Sequence, residues 1–227
     1  MKKTIKKPEF DEWSHWYNFD EIFEYLGIPD PSGNSTSTQG EIEINGLKGH
    51  PHTDNGFMLR SMKHGRRSSF YTTALKTSLK EKPCPLYKGD CGVYWIKIKC
   101  EIAGKNERWD YIGKSAEKKE GIRKRLTDHF AKMLFVDEIL TRKGIGGTAN
   151  FTDFYNSVKD DFDIRNPDEF FFEKCVQIRF VKVKPTTESS HKIHRIEGMA
   201  LRQFFNDNDN KFPRLNQKNE TKGMEGF

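Results

Sequence analysis

Apolar and polar positions along the chain change their period several times, and the clearest changes lie in the second half. "GVYWIKIKC", from Gly92, is rich in β-branched and aromatic residues, with Val93 and Trp95 on alternate positions; that composition predicts a strand. "AGKNE" predicts a turn, and "RWDYIG" the returning strand of a hairpin. Ile122, Leu126, Phe130 and Leu134 then recur at helical spacing, which predicts a helix from about Lys118 to Leu134. "FTDFYNSVKDD" predicts a short helix, and "EKCVQIRFVKV" alternates over Val176, Ile178 and Phe180 as a third strand. Residues 187–205 predict a further helix, opened by a Thr or Ser cap, whose apolar stripe is Ile193, Ile196, Ala200 and Phe204.

The first half is patterned less regularly. Residues 8–26, "PEFDEWSHWYNFDEIFEYL", predict an acidic, aromatic helix or helix pair with Trp13, Trp16, Tyr17, Phe19, Phe23 and Leu26 on a packed face. "GIPDPSGNSTSTQG" predicts a loop, "EIEINGL" a strand and "GHPHTDNG" a polar turn around His50 and His52. The two prolines of "EKPCPLYKGD" suit a connection, which divides the chain into an N-terminal extension or small domain, 1–85, and a second unit, 86–227. The expected fold is α/β in the broad sense (α+β): a small mixed three-stranded sheet flanked by helices.

Composition narrows the class. The chain has 227 residues, enough to bury a core, with 13% aromatic and 32% charged residues. Mean hydropathy is −0.83, and no run of about 18 apolar residues is present, so the expectation is a cytoplasmic protein with no membrane partner. "MKKTIKKPEF" begins positively but has no apolar stretch behind it, unlike a secretory signal. Cys84, Cys91, Cys100 and Cys175 form no CxxC pair and are expected to be free thiols. Net charge is +6. It is unevenly placed: Gly92 to Leu134 holds eleven lysines and arginines against six acids, whereas residues 1–85 hold twelve against eleven. A basic stretch is more often a solvated face than a binding site, so the charge alone favours a polyanionic partner only weakly.

The candidate chemistry lies in the basic stretch. "DYIGKSAEKKEGIRKRLTDHF" places Arg125 and His129 one helical turn apart, just after the end of a strand carrying Tyr111. Arg125 can fork two phosphate oxygens, and His129 titrates near neutral pH. "TRKGIGGTAN" lacks the spacing of a P-loop, and His191, His194 and Glu197 do not form an HExxH zinc motif. Taken singly, each residue has a bland alternative: a packed strand tyrosine, a solvated helix face, an ion-paired glutamate, a turn asparagine.

Taken in order, the pieces resemble the GIY-YIG nuclease family. Gly92, Val93 and Tyr94 stand where the family has GIY; Tyr111, Ile112 and Gly113 reproduce YIG; Arg125 and His129 match R-x-x-x-H. Glu197 falls on the later helix in the place of the metal-binding glutamate, and Asn216 follows in "FPRLN". The resemblance spans roughly residues 90–218 and does not extend to residues 1–85.

The resemblance implies a divalent-metal-dependent DNA endonuclease that hydrolyses phosphodiester bonds, in style closest to the family's sequence-specific type II restriction enzymes. It implies catalytic roles for Tyr94, Tyr111, Arg125, His129, Glu197 and Asn216, with Mg²⁺ or Mn²⁺ on Glu197. Tyr94 would be the base, although a phenol of reference pKa about 10 lies some three units, or ~4 kcal/mol, from neutral pH. A cationic surround would reduce that cost, and His129 would accept or relay its proton. Double-stranded DNA is the expected partner, with a homodimer suited to cutting both strands. Lys114 and Arg123 are nearby cations expected to contact either the reacting phosphate or the duplex backbone. Lys63, Arg66 and Arg67 are candidate DNA-binding residues in the first unit, which would serve DNA recognition or dimerisation. A nicking enzyme of repair or mobile elements, and a non-catalytic nucleic-acid-binding protein of the same fold, are the alternatives.

Overall fold

The computed structural model describes residues 13–25, 42–44, 47–52, 56–59, 75–77, 84–116, 121–134, 149–164, 166, 169–184 and 188–216. Its frame is a four-stranded antiparallel sheet. The long hairpin β7 (Cys91–Ile102) and β8 (Lys105–Ser115) turns at Ala103–Gly104, both at positive φ as a tight hairpin turn requires. The turn is therefore shorter than "AGKNE", and the return strand begins at Lys105. β9 (Val176–Val183) pairs along the other side of β7, with Tyr94 opposite Phe180 and Trp95 opposite Arg179.

The expected three-stranded mixed sheet is thus corrected in two respects: every pairing is antiparallel, and a fourth strand is present. That strand is β1 (Tyr17–Asn18), which pairs with β9 as Tyr17 opposite Ile178. Ser14 lengthens the pairing: its N–H donates to Phe180 O at 2.9 Å, and its Oγ accepts from Phe180 N at 3.1 Å. The expected helix or helix pair over 8–26 is therefore replaced, in its described part, by β1, the one-turn helix α1 (Phe19–Ile22) and β2 (Phe23–Tyr25). The reason is tertiary. β9 presents unpaired edge groups to a segment whose aromatic residues suit a strand as well as a helix.

Two smaller antiparallel sheets involve the first half. β2 pairs with β6 (Leu75–Thr77), and β3 (Ile42–Ile44), β4 (Leu47–His52) and β5 (Gly56–Leu59) form a three-stranded meander. His50 and His52 therefore lie in a strand and not in the polar turn expected of "GHPHTDNG"; residues 53–55 of that stretch lie outside the described residues. The loop expected over 27–40 lies outside the described residues.

Both faces of the central sheet are covered, which is why β7 is buried continuously from Cys91 to Ile96 rather than on alternate positions. One face carries α2 (Gly121–Leu134), α3 (Ala149–Val158) and α4 (Phe171–Cys175). Ile122, Leu126 and Phe130 of α2 meet Tyr94, Ile96 and Ile98 of β7 there, as their spacing anticipated. Phe19 joins this layer edge-on to Phe130, with ring centroids 5.0 Å apart, and Phe23, Phe170 and Phe172 complete a phenylalanine cluster. Burying each such ring contributes roughly 1.5–3 kcal/mol. The opposite face carries α5 (Ser189–Asp207) through Ile193, Ile196, Ala200, Leu201 and Phe204, joined by Trp13 and Trp16. Residues 13–23 thus supply packing to both faces of a sheet built mainly after residue 90.

Candidate active site

The tyrosines of "GVY" and "YIG" fall on the same face of the hairpin. Antiparallel register sets Tyr94 opposite Gly113 and Ile96 opposite Tyr111, and cross-strand partners share a face. Both tyrosines point into the layer made by α2. There the Tyr94 hydroxyl and His129 Nε2 form a hydrogen bond of 2.8 Å. Tyr111 lies with its ring centroid 4.4 Å from that of His129. Tyr94 has no exposed surface, and His129 and Tyr111 retain only 5% and 6%. The three groups share a nearly dry environment.

Glycine makes this convergence sterically feasible. A Cβ on Gly113 would stand 2.5 Å from Tyr111 Cε1 and 2.8 Å from the Tyr94 hydroxyl, so the two side chains occupy the space that any other residue would fill. Gly92 is constrained in another way. It sits at φ +150°, and a Cβ there would lie 1.9 Å from the carbonyl oxygen of Val181 in the neighbouring strand. The glycine of each motif therefore permits a close approach, the first of backbone and the second of the paired tyrosines.

Arg125, one turn before His129 on α2, is half-buried at the same layer. Arg123 is also half-buried, and its carbonyl accepts the Thr127 hydroxyl at 2.9 Å. Glu197 lies on α5, across the sheet from His129, where it forms an ion pair with Lys114. Lys114 follows Gly113 directly, so β8 links the two sides: Tyr111 and Gly113 face the histidine, and Ile112 and Lys114 face α5. Of the two nearby cations expected to meet phosphate, Lys114 is already engaged with the carboxylate. That pairing was not anticipated from sequence; no spacing links residues 83 positions apart.

Asn216 acts on the outer edge of β8. Its Oδ1 accepts the N–H of Ile112 at 2.9 Å, and its Nδ2 donates to the Ile112 carbonyl at 2.7 Å. Leu215 N–H donates to Asp110 O at 3.0 Å. The segment therefore imitates a further strand, closing the exposed edge beside Tyr111 and Gly113. A second unanticipated feature is Phe151 on α3, whose ring stands 5.5 Å from His129 and 6.1 Å from Tyr111 and walls the cluster. Lys63, Arg66 and Arg67 lie outside the described residues.

Among the described residues, no three His, Cys, Asp or Glu side chains converge as a ready-made cation cage. Glu197 supplies a single half-buried carboxylate. One hard oxygen donor fits a cation that keeps most of its water, as Mg²⁺ and Mn²⁺ do, and does not fit a closed zinc site. Among the described residues no helix is long and apolar enough to cross a membrane. The comparisons add no relative: the chain has no match among protein families and no significant match among curated proteins or solved structures.

Proposed function

We propose that the protein is a divalent-metal-dependent DNA endonuclease of the GIY-YIG kind, hydrolysing phosphodiester bonds as a sequence-specific restriction enzyme. The observation that carries this reading is the buried 2.8 Å hydrogen bond between the Tyr94 hydroxyl and His129 Nε2. Hydrolysis of a phosphodiester needs a group that takes a proton from the attacking water. A phenol with an imidazole already on its oxygen can pass that proton on without holding it. Arg125 is the residue for the non-bridging phosphate oxygens, because a guanidinium grips two of them at once. Tyr111, against the same imidazole, orients the water or the phosphate. Asn216 holds the β8 edge and so the register of both tyrosines. Glu197 would hold Mg²⁺ or Mn²⁺, which supplies charge stabilisation at the phosphoryl and leaving oxygens. Double-stranded DNA is the substrate, and two copies of the chain would cut its two strands.

A second reading has its own observation. Tyr94 is fully buried and Glu197 is neutralised by Lys114, as in a non-catalytic nucleic-acid-binding protein of the same architecture. The deciding experiment is digestion of an unmethylated phage genome with Mg²⁺, comparing the wild type with Glu197→Ala and Arg125→Ala. Discrete bands lost in both variants are expected. Smearing or nicking lost in both would keep the chemistry and point to a repair or mobile-element enzyme. No cleavage with any divalent ion, with DNA binding intact, would establish the binding-protein reading.

A further inference from the structure

The face of the central sheet turned away from Tyr94 and His129 carries a cluster that the proposed chemistry does not use. On β7, Trp95, Lys97 and Lys99 project to this side. Register adds Arg179 opposite Trp95, Asp110 opposite Lys97 and Arg108 opposite Lys99. Trp13 and Trp16 pack edge-on to Trp95, with centroids 6.0 and 5.6 Å away. The Arg179 guanidinium lies over all three indoles, 4.2 Å from the Trp95 ring and 4.6 Å from each of the others. Lys97 Nζ stands 3.7 Å from the ring centre of Trp16.

Four cations therefore share this surface with two carboxylates, Glu101 at the hairpin end and Asp110 among the cations, and Asp110 is occupied. Asp110 accepts from the Trp95 indole N–H at 2.7 Å, while Arg108 binds both its oxygens, at 2.7 and 3.0 Å. Among the described residues, no acid forms a close ion pair with Lys97, Lys99 or Arg179, although the Asp110 charge reaches Lys97 and Arg179. The Nε of Arg179 is buried without a hydrogen-bond partner, which is costly for a charged group. Burial, then the charges of Lys99 and Arg108, hold the Lys97 ammonium below its ordinary pKa. Like charges crowded on an aromatic floor are unfavourable in the free protein and favourable once an anion arrives.

We propose that this face is a second contact surface for duplex DNA, which grips the phosphate backbone through Lys97, Lys99 and Arg179 above the floor of Trp13, Trp16 and Trp95. The proposal rests on the reading that the chain acts on DNA, and it adds where the duplex is held away from the reacting phosphate. Duplex rather than single strand follows from the rings. A single-strand platform needs indole faces open for base stacking, and here Lys97 and Arg179 already lie over them. What remains outward is the exposed Lys99, with the half-buried Lys97 and Arg179 beside it, side chains of the kind that contact phosphate.

The test measures binding of a fluorescein-labelled duplex by anisotropy across a salt series, using the full chain in EDTA so that nothing is cut. Lys97→Gln/Lys99→Gln is compared with the wild type and with Lys159→Gln/Lys174→Gln, which removes the same charge from the end of α3 and from α4, over the opposite face. The first pair is expected to lower the slope of log K against log salt by about two, equally on duplexes of unrelated sequence. The control pair should lower it by less than half of that. Lys99→Gln alone, at an exposed position, should lower it by about one, whatever the double variant does to folding. Three of the four tryptophans line this face, so duplex binding should also quench their emission. An unchanged slope, or binding confined to single strands, overturns the proposal even if the protein proves to be a nuclease. A lowered slope in a protein that never cuts keeps this surface and removes only the catalytic reading, whereas no duplex binding at all overturns this surface and leaves the catalytic reading to the digestion with Mg²⁺.

Discussion

The Tyr94 hydroxyl and His129 Nε2 meet at 2.8 Å between strand β7 and helix α2, 35 residues apart in the chain and shut off from solvent. If the pair is one proton path, its two members cannot be removed independently. Tyr94→Phe and His129→Ala are each expected to lower cleavage by about 10²–10⁴-fold. The double variant should be no slower than the worse single one, since groups that act as a unit are strongly non-additive. Single-turnover rates on a radiolabelled duplex measure this. Penalties that multiply would show separate roles and dissolve the path.

The two motif glycines should fail differently. Gly113→Ala forces the ends of two side chains to give way, which costs about 1–3 kcal/mol and shifts the tyrosine hydroxyls. Gly92→Ala meets a backbone carbonyl at a positive φ and should be worse, beyond about 4 kcal/mol or unfolded outright. Urea denaturation gives the order. A milder Gly92 variant would contradict the close approach of β7 to β9.

Asn216 answers to stability before activity. Asn216→Ala leaves the N–H and carbonyl of Ile112 without partners on the β8 edge, at roughly 1–3 kcal/mol for each group that stays dry. Hydrogen exchange at the Ile112 amide should accelerate in step with the urea midpoint. An amide that stays protected in the variant would mean another group holds the edge.

Glu197 answers in the opposite way. Its ion pair with Lys114 is partly exposed, with side-chain accessibilities of 17% and 31%, so losing it should change stability by less than about 1 kcal/mol. Glu197→Gln is nonetheless expected to abolish Mg²⁺-dependent cleavage. A variant that melts like the wild type and still cuts would remove the glutamate from the site.

Acid should weaken the fold through His194 on α5. Partial burial, then the charges of Lys114 and His191, hold its imidazole below the ordinary value of 6.5. The unfolded chain then binds a proton near pH 6.5 that the folded chain takes up only at lower pH. Stability therefore rises with pH through that window and levels off above 6.5. His194→Gln should flatten the acid-side slope in a pH series of urea midpoints, and an unaltered slope would assign it to other groups.

Much of the second half was legible from local pattern. Tyr94 and Tyr111 on a hairpin, Arg125 and His129 on one helix, and the stripe Ile193, Ile196, Ala200 and Phe204 follow from periods of two and 3.6, which depend only on near neighbours. Spacing could not place the long-range partners. Ser14 bonds Phe180 across 166 residues, Asn216 clamps Ile112 across 104, and Glu197 finds Lys114 across 83. Each of these contacts satisfies an edge group or a charge that exists only once the sheet has formed. Likewise the aromatic run from Trp13 to Phe23 carried enough apolar surface for a helix, yet an open edge of β9 took part of it as a strand. The sequence by itself determined which residues want burial and with what period. The tertiary structure decided which unpaired backbone and buried charge each distant segment would satisfy.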